Sequence, residues 1–260
     1  MIPVATVAME TERAARIWTA VALRAMRDGG PPAPGHVCIE CVEALAVSGA
    51  GLMLAGGPQT LEPVYCIGDH AGDADGLQTT LGEGPGIDAS ATGQPVLVDN
   101  LTSAASHRRW PMFATQASRL DVRSVHSFPL ALGAINVGAM NLYSDSPRDF
   151  GRDELIDALV YADTALMLIL DARSGIDTPA NDAVFNGQAP ALWRAEVHQA
   201  AGMVSVQLGI SVLDALVRLR AHAYRHDLQL AAVARAVVER RLRFEPATAG
   251  EPSAESGEPA

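Results

Sequence analysis

The chain contains no lysine, so all 19 of its basic side chains belong to arginines. A P-loop that binds nucleotide phosphates requires a lysine in its glycine-rich turn, and this chain cannot supply one. The sequence also lacks a G-x-S-x-G nucleophile motif, and no other motif orders His107, His126, Asp99 and Ser103 into a catalytic set. We therefore expect no enzymatic activity.

Cysteines, aromatic residues and long apolar runs are scarce as well. Three cysteines in 260 residues fit a reducing compartment better than a disulfide scaffold. Aromatic residues make up 5% of the chain against 48% hydrophobic residues, so its cores must consist of aliphatic and small side chains. No apolar run approaches the roughly 18 residues of a membrane span, and the amino terminus lacks a signal-peptide pattern. We expect a cytoplasmic protein with no membrane contact.

Two of the cysteines, Cys38 and Cys41, form a C-x-x-C pair that invites a redox or zinc hypothesis. On a helix this spacing places both thiols on one face, where cysteine packs as a small hydrophobic residue. A redox thiol would be exposed at a helix start, and a zinc site needs about four ligands, which no second pair supplies. Core packing is the favoured interpretation, and we expect no metal and no cofactor, including haem at His107 or His126.

The first two thirds of the chain alternate between helical and strand patterns. Residues 11–27 carry Ala15, Trp18, Val21, Ala22 and Ala25 at helical steps, which predicts a helix there. The other predicted helices are 35–48, a short one after the glycine-rich turn 81–87, one opened by 110–113, and a long one at 153–171. The predicted strands are 51–55, 63–68, 94–99, 122–132 and 135–143.

This order of elements, with the motifs LGEGPGIDA, GQPVLVDN, WPMF, SFPL and INVGAMNLYSD, resembles a GAF domain over residues 12–172. The resemblance implies an α+β fold in which a mostly antiparallel sheet is flanked by helices. It also implies a sensor or dimerisation module, with a small-molecule ligand whose identity the family leaves open. Residues 173–190 are rich in Gly, Pro, Asn and Asp and predict a linker, whereas the acidic residues 245–260 predict a disordered tail.

The segment between linker and tail is basic, although the whole chain has a net charge of −11. Residues 218–243 contain seven arginines against one aspartate and one glutamate, which gives this window a charge of +5. A local positive patch on an acidic protein favours a polyanionic partner at that patch, because attraction follows the local potential. A solvated helical face is the competing interpretation.

Apolar spacing in this segment predicts three short helices. Trp193, Val197, Ala200, Val204 and Leu208 lie on one stripe of the first helix. Gly209 then suits a helix end in the left-handed conformation, and Ser211 with Asp214 predicts a capping box that opens the second helix. The third helix begins near residue 230.

The run QAAGM, then LGIS, then the small and apolar positions of the next two helices, resembles an ANTAR domain over residues 191–244. The resemblance implies a small all-α, three-helix RNA-binding module of transcription antitermination regulators, here of the actinobacterial type in which a GAF domain precedes it. It implies binding to two neighbouring hairpins with hexanucleotide loops in a leader transcript, and two modules in turn predict a homodimer formed through helix 153–171. Ala201 departs from the family, because many members carry a lysine there that would contact a phosphate.

The basic face and the close backbone of the first helix define the predicted RNA-contact set, in which arginines hold phosphates and Tyr224 stacks on a base. This set is Gln199, Gly202, Arg218, Arg220, His222, Tyr224, Arg225 and Arg235. It predicts that Arg220→Ala weakens RNA binding without loss of helix content. Two alternatives stay open: a DNA-binding helix-turn-helix factor, and a ligand or redox sensor whose carboxy-terminal helices bind a protein.

Overall fold

The computed structural model describes residues 4–57, 60–133, 135–173, 190–226 and 228–245. Five strands form one sheet in the order β2-β1-β5-β4-β3, and every neighbouring pair is antiparallel. The strands are β1 Gly49–Gly57, β2 Thr60–Gly68, β3 Val96–Val98, β4 Ser124–Leu132 and β5 Ile135–Ser144. The sheet confirms the predicted α+β, mostly antiparallel fold of the amino-terminal part.

Ten helices are found in the described residues: α1 Val4–Arg27, α2 Pro34–Leu45, α3 Ala71–Leu81, α4 Pro85–Thr92, α5 Ala104–Arg109, α6 Pro111–Arg119, α7 Arg152–Arg173, α8 Pro190–Leu208, α9 Val212–Arg225 and α10 Leu230–Val238. None of these helices combines the length and the low polarity that a membrane crossing requires. The predicted linker falls mainly on residues 174–189 and the predicted tail mainly on 246–260, so both predictions lie outside the described residues.

The two faces of the sheet bury different kinds of side chain, because successive residues of a strand point to opposite faces. On one face, Leu52, Met140 and Leu142 join an apolar core with helices α1, α2 and α7. On the other face, Asn141 and Tyr143 point towards helices α3 to α6. The second face therefore combines an apolar core with buried polar groups.

Helices α1 and α2 each bury one side in the core. Cys38 and Cys41 are fully buried on α2, which confirms that this pair packs in the core. On α1 the predicted helix is present; Trp18 is 45% exposed and Ala15 is exposed, whereas Ile17 is buried beside Val21. The buried side of α1 is the stripe of Ile17, Val21 and Ala25, which recur every four residues.

The glycine-rich segment 81–87 forms the predicted turn between two helices. Gly82 has φ +70° at the end of α3, and Gly84 has φ +145° just before α4. A side chain on Gly84 would lie 2.4 Å from Gln78 Oε1, so glycine is required there for space as well as for conformation. Helices α3 and α5, in contrast, were not predicted from the sequence.

The three carboxy-terminal helices enclose an apolar core of their own. Val197, Ala200 and Val204 from α8 pack with Leu219 from α9 and Val233 from α10, among others. Gly209 takes φ +66°, and Ser211 Oγ accepts a hydrogen bond from the Asp214 amide at 3.1 Å, which confirms the predicted break and cap. The Trp193 side chain lies outside the described residues.

Candidate nucleic-acid interface

Most of the predicted RNA-contact set lies on the outside of helices α8 to α10. Gln199, Arg218, Arg225 and Arg235 are exposed, since the helices turn their apolar stripes towards their shared core. Both guanidinium groups of Arg218 and Arg225 belong to exposed side chains, and neither makes an ion pair with a described residue. Arg235 Nε lies 3.4 Å from Glu196 Oε2, which partly neutralises its charge.

Arg220 differs from the other arginines because it faces the amino-terminal domain. Its guanidinium lies close to Gly82, 3.4 Å from the position that a side-chain carbon would take there, and its Nε is buried with no hydrogen bond to the residues that the structure describes. Burial lowers the pKa of Arg220, and the nearby carboxylate of Glu62 opposes this shift. In this arrangement the guanidinium is covered by the domain rather than presented to a ligand.

Tyr224 and His222 complete the set on α9. The Tyr224 hydroxyl lies 3.6 Å from Met112 Sδ at the edge of the contact between α9 and the amino-terminal domain, although the side chain stays partly exposed. The His222 ring is half-buried with its centroid 4.3 Å from that of His226. Burial lowers the pKa of His222, and the charges of His226 and Arg225 lower it further. The predicted set thus divides into an outer group and the pair Arg220 and Tyr224, which face the amino-terminal domain.

Gly202 stands in open space on α8. A side-chain carbon built on it would meet no atom within 4 Å outside its own helix, so close helix packing does not require glycine at this position. Approach of an RNA backbone would be a reason for glycine that the protein alone does not supply. The structure therefore leaves the predicted role of Gly202 in place and removes its packing alternative.

We expect Gly202→Ala to raise the free energy of unfolding by about 0.5–1 kcal/mol, because alanine loses less conformational freedom in a helix. Gly209→Ala is the matched control: it also has open space around the added carbon but has φ +66°, so it should lower stability. Urea unfolding of the three proteins measures both changes. A loss of stability in Gly202→Ala would show that position 202 is sterically constrained after all.

A second polar site is buried between α3 and the sheet, centred on Asp75. Its Oδ1 accepts hydrogen bonds from the Tyr143 hydroxyl at 2.5 Å and from Asn141 Nδ2 at 2.8 Å. Gln78 Nε2 donates to the Tyr143 hydroxyl oxygen at 2.9 Å, and Ser127 Oγ donates to Asn141 Oδ1 at 2.7 Å. These five side chains form what we call the Asp75 cluster, which sequence reasoning missed because its members are scattered over α3, β4 and β5.

Asp75 is the member of the cluster with an unusual charge state. It has no exposed surface, and its second oxygen, Oδ2, has no hydrogen-bond partner among the described residues. Burial raises the pKa of Asp75 to about 7, although the hydrogen bonds from Tyr143 and Asn141 favour the ionised form. The carboxyl group can therefore gain or lose a proton near neutral pH, which makes it a charge centre inside the domain.

A family model described as a GAF domain matches residues 36–161. This chain contains a GAF domain. The matched range runs from α2 into α7 and includes every strand of the sheet and the whole Asp75 cluster. GAF domains are sensor domains that are typical of signalling proteins. Helices α8 to α10 lie beyond the matched range, so their resemblance to an ANTAR domain stays a prediction.

Several solved structures are similar to the GAF domain at low identity. The GAF domain of a phosphoenolpyruvate-protein phosphotransferase from Acinetobacter is 13% identical with a TM-score of 0.46, covering 64% of this chain and 96% of that one. The corresponding domain from Coxiella burnetii is 14% identical with a TM-score of 0.45, covering 64% and 95%. A type II free methionine-R-sulfoxide reductase from Thermoplasma acidophilum is 14% identical with a TM-score of 0.41, covering 53% and 89%. No curated protein sequence matches the chain.

Proposed function

We propose that this protein is a non-enzymatic regulator of transcription antitermination, in which the GAF domain controls or dimerises a carboxy-terminal RNA-binding module of the ANTAR type. The observation that carries the proposal is the outer arginine surface of α9 and α10, where Arg218 and Arg225 are exposed and make no ion pair with a described residue, on a protein of net charge −11. A surface of this kind attracts a polyanion locally while the remainder of the protein repels it. A nascent transcript as target places the protein in the cytoplasm.

Hairpin loops are the form of RNA that suits this surface. Bases in a loop are unstacked and can be reached by side chains, whereas the major groove of duplex RNA is too deep and narrow for side chains to read. Arg218 and Arg225 would hold phosphates that flank the loop, and Gln199 would hydrogen-bond a base edge. The open space at Gly202 supports a close approach of the RNA to α8.

A homodimer would present two modules to two neighbouring hairpins. Helices α1 and α7 pack against each other through ion pairs of Arg13 with Asp153 and Asp157, and they leave large apolar side chains on their surface. The exposed side chains are Trp18, Leu23, Met26, Leu159 and Met167. Such a surface supports a second copy of this chain as its partner, because apolar patches on a monomer are favourable to bury.

The proposal is tested with the full-length protein and a labelled RNA that carries two hexaloop hairpins. Loop-scrambled RNA and duplex DNA serve as competitors over a salt series. We expect loop-dependent binding that survives moderate salt, with two chains bound per RNA. Arg218→Gln and Arg225→Gln should each weaken binding and reduce the salt slope by about 0.7, the value for one phosphate contact on a single strand.

Arg108→Gln is the matched control, because Arg108 is an exposed arginine of α5 that makes no ion pair with the part of the chain that the structure describes, and it lies far from α9 in the sequence. It removes the same charge and should leave the salt slope unchanged. An equal loss of RNA affinity in all three variants would show that the RNA responds to the overall charge of the protein rather than to the surface of α9. Preference for duplex DNA would overturn the RNA proposal in favour of a helix-turn-helix factor.

A further inference from the structure

A cavity of about 340 Å³ lies where α9 and the start of α10 pack against α3 and α6 of the GAF domain. This volume falls in the range of small-molecule sites in proteins. Leucines from both parts of the chain make its walls apolar, with Tyr224 beside them; the leucines are Leu77, Leu81, Leu120 and Leu228. The cavity is separate from the Asp75 cluster, which lies between α3 and the sheet.

Specific contacts hold the two sides of the cavity together. Gln229 Nε2, at the start of α10, donates a hydrogen bond to Asp73 Oδ1 of α3 at 3.1 Å. The Tyr224 hydroxyl contacts Met112 Sδ at the opposite side, at 3.6 Å. Any molecule in the cavity would therefore touch the GAF domain and the carboxy-terminal helices at the same time.

The polar side chains that line the cavity indicate which kind of ligand it could bind. Thr80 is 6% exposed and lines the cavity, yet its hydroxyl makes no hydrogen bond with any described residue. Arg119 also lines the cavity and makes no ion pair within the described residues. The carboxylate of Asp73, in contrast, already accepts from Gln229. Arg119 is exposed at the rim of the cavity, so its guanidinium can hold the negative charge of a ligand whose apolar body lies against the leucines and whose polar atom reaches Thr80.

We infer that this cavity binds a small organic anion with an apolar, preferably aromatic body. The Arg119 guanidinium holds the acidic group of the ligand, the Thr80 hydroxyl bonds a polar atom, and the leucines with Tyr224 cover the apolar body. A bound ligand stabilises the contact between α9 and the GAF domain, which covers Arg220. The site is thereby placed to act as an effector site that opposes RNA binding, and this last consequence alone rests on the proposed function.

The test is a fluorescence titration of the full-length protein with 8-anilinonaphthalene-1-sulfonate, which joins an aromatic body to one negative charge. N-phenyl-1-naphthylamine, which has the same body without the sulfonate, is the matched probe. We expect the sulfonate to bind more tightly than the neutral dye. Arg119→Gln should raise its Kd about tenfold and Thr80→Val about fivefold, as expected for the loss of one charged and one neutral hydrogen bond.

Two controls show whether the dye binds in the cavity and through its charge. Arg108→Gln removes the same charge from an exposed arginine that does not line the cavity, and it should leave the Kd unchanged. The neutral dye should bind equally to wild type and Arg119→Gln. If the two arginine variants behave alike, or if both dyes bind wild type equally, the dye binds elsewhere or without need of its charge, and the inference is overturned. No RNA is present in these titrations, so their outcome is independent of the RNA experiment.

Discussion

Between about pH 4 and pH 7 the stability of the wild-type protein is expected to decrease as the pH rises, because Asp75 is buried. The Asp75→Asn variant should not show this decrease. Burial raises the pKa of Asp75 from 3.8 to about 7 in the folded protein. Since one pKa unit corresponds to about 1.4 kcal/mol, the buried carboxyl group should contribute a decrease of roughly 4 kcal/mol over this range. Asparagine cannot ionise, so the difference between the two proteins isolates this contribution.

The sign of the effect follows from proton counting. Between pH 4 and pH 7 the unfolded chain has released the Asp75 proton, whereas the folded protein still holds it. The unfolded state therefore binds fewer protons, and a rise in pH favours unfolding. The stabilisation is fully present below the unfolded pKa and is lost as the pH rises through the folded pKa. Above pH 7 both states are ionised and the contribution becomes constant.

Urea unfolding at steps of pH measures the expected difference, with Asp69→Asn as control. Asp69 is exposed and lies just before α3, so its replacement changes the same charge without touching the buried cluster. Asparagine at 75 keeps an oxygen that can accept from Tyr143 and Asn141, which preserves the hydrogen bonds of Oδ1. Parallel pH profiles for wild type and Asp75→Asn would show that Asp75 ionises normally in the folded protein.

The Asp75 cluster also explains why parts of the GAF domain could not be predicted from the sequence. Helix α3 contains two glycines, two aspartates and two threonines among its residues, all of which are poor helix formers. It forms because its side chains are held by the sheet: Asp75 binds Tyr143 and Asn141, and Thr79 Oγ1 donates to the Leu61 carbonyl at 3.0 Å. Such contacts join residues that are far apart in sequence, and local spacing does not contain them.

Strands β4 and β5 and helix α7 were predictable for the opposite reason. Met140 and Leu142 alternate with Asn141 and Tyr143, so the period of the strand is visible in the residues themselves. Gly51 shows the limit of this reasoning. A side-chain carbon there would lie 1.8 Å from Asp75 Oδ2, so this glycine in β1 is required by a residue of α3. The need becomes visible only when the sheet and the helix are assembled.

The positions of the predicted RNA-contact residues were also predictable only in part. Helical spacing correctly placed Arg218 and Arg225 on the outside of α9, because an apolar stripe identifies the inner face of the helix. Helical spacing could not reveal that Arg220 and Tyr224 face the GAF domain. The apolar stripe identifies one buried face of α9, but it does not show whether another part of the protein packs against the remaining faces. The predicted effect of Arg220→Ala therefore needs a second variant that separates RNA contact from domain contact.

The Gly76→Leu variant is expected to bind the hairpin RNA about tenfold more tightly than wild type, if nine tenths of the protein is docked as in this structure. Gly76 of α3 faces the start of α10, and a side-chain carbon there would lie 2.8 Å from Gln229 Oε1. Leucine displaces the Gln229 side chain, which removes its hydrogen bond to Asp73 and weakens the contact of α10 and α9 with the GAF domain; it also favours helix α3 itself because it replaces a glycine. The gain arises because the undocked module presents Arg220 and Tyr224 to the RNA.

A double variant decides whether that reasoning holds. Arg220→Met in the Gly76→Leu protein should abolish most of the gain, because the uncovered guanidinium is what adds affinity. Gly30→Leu, the same substitution where nothing lies within 4 Å of the added carbon, should leave RNA affinity at the wild-type level. A gain that persists without Arg220 would assign the effect to other parts of the freed surface. An unchanged affinity in Gly76→Leu would mean that contact with the GAF domain does not limit RNA binding, so that the domain acts by dimerisation instead.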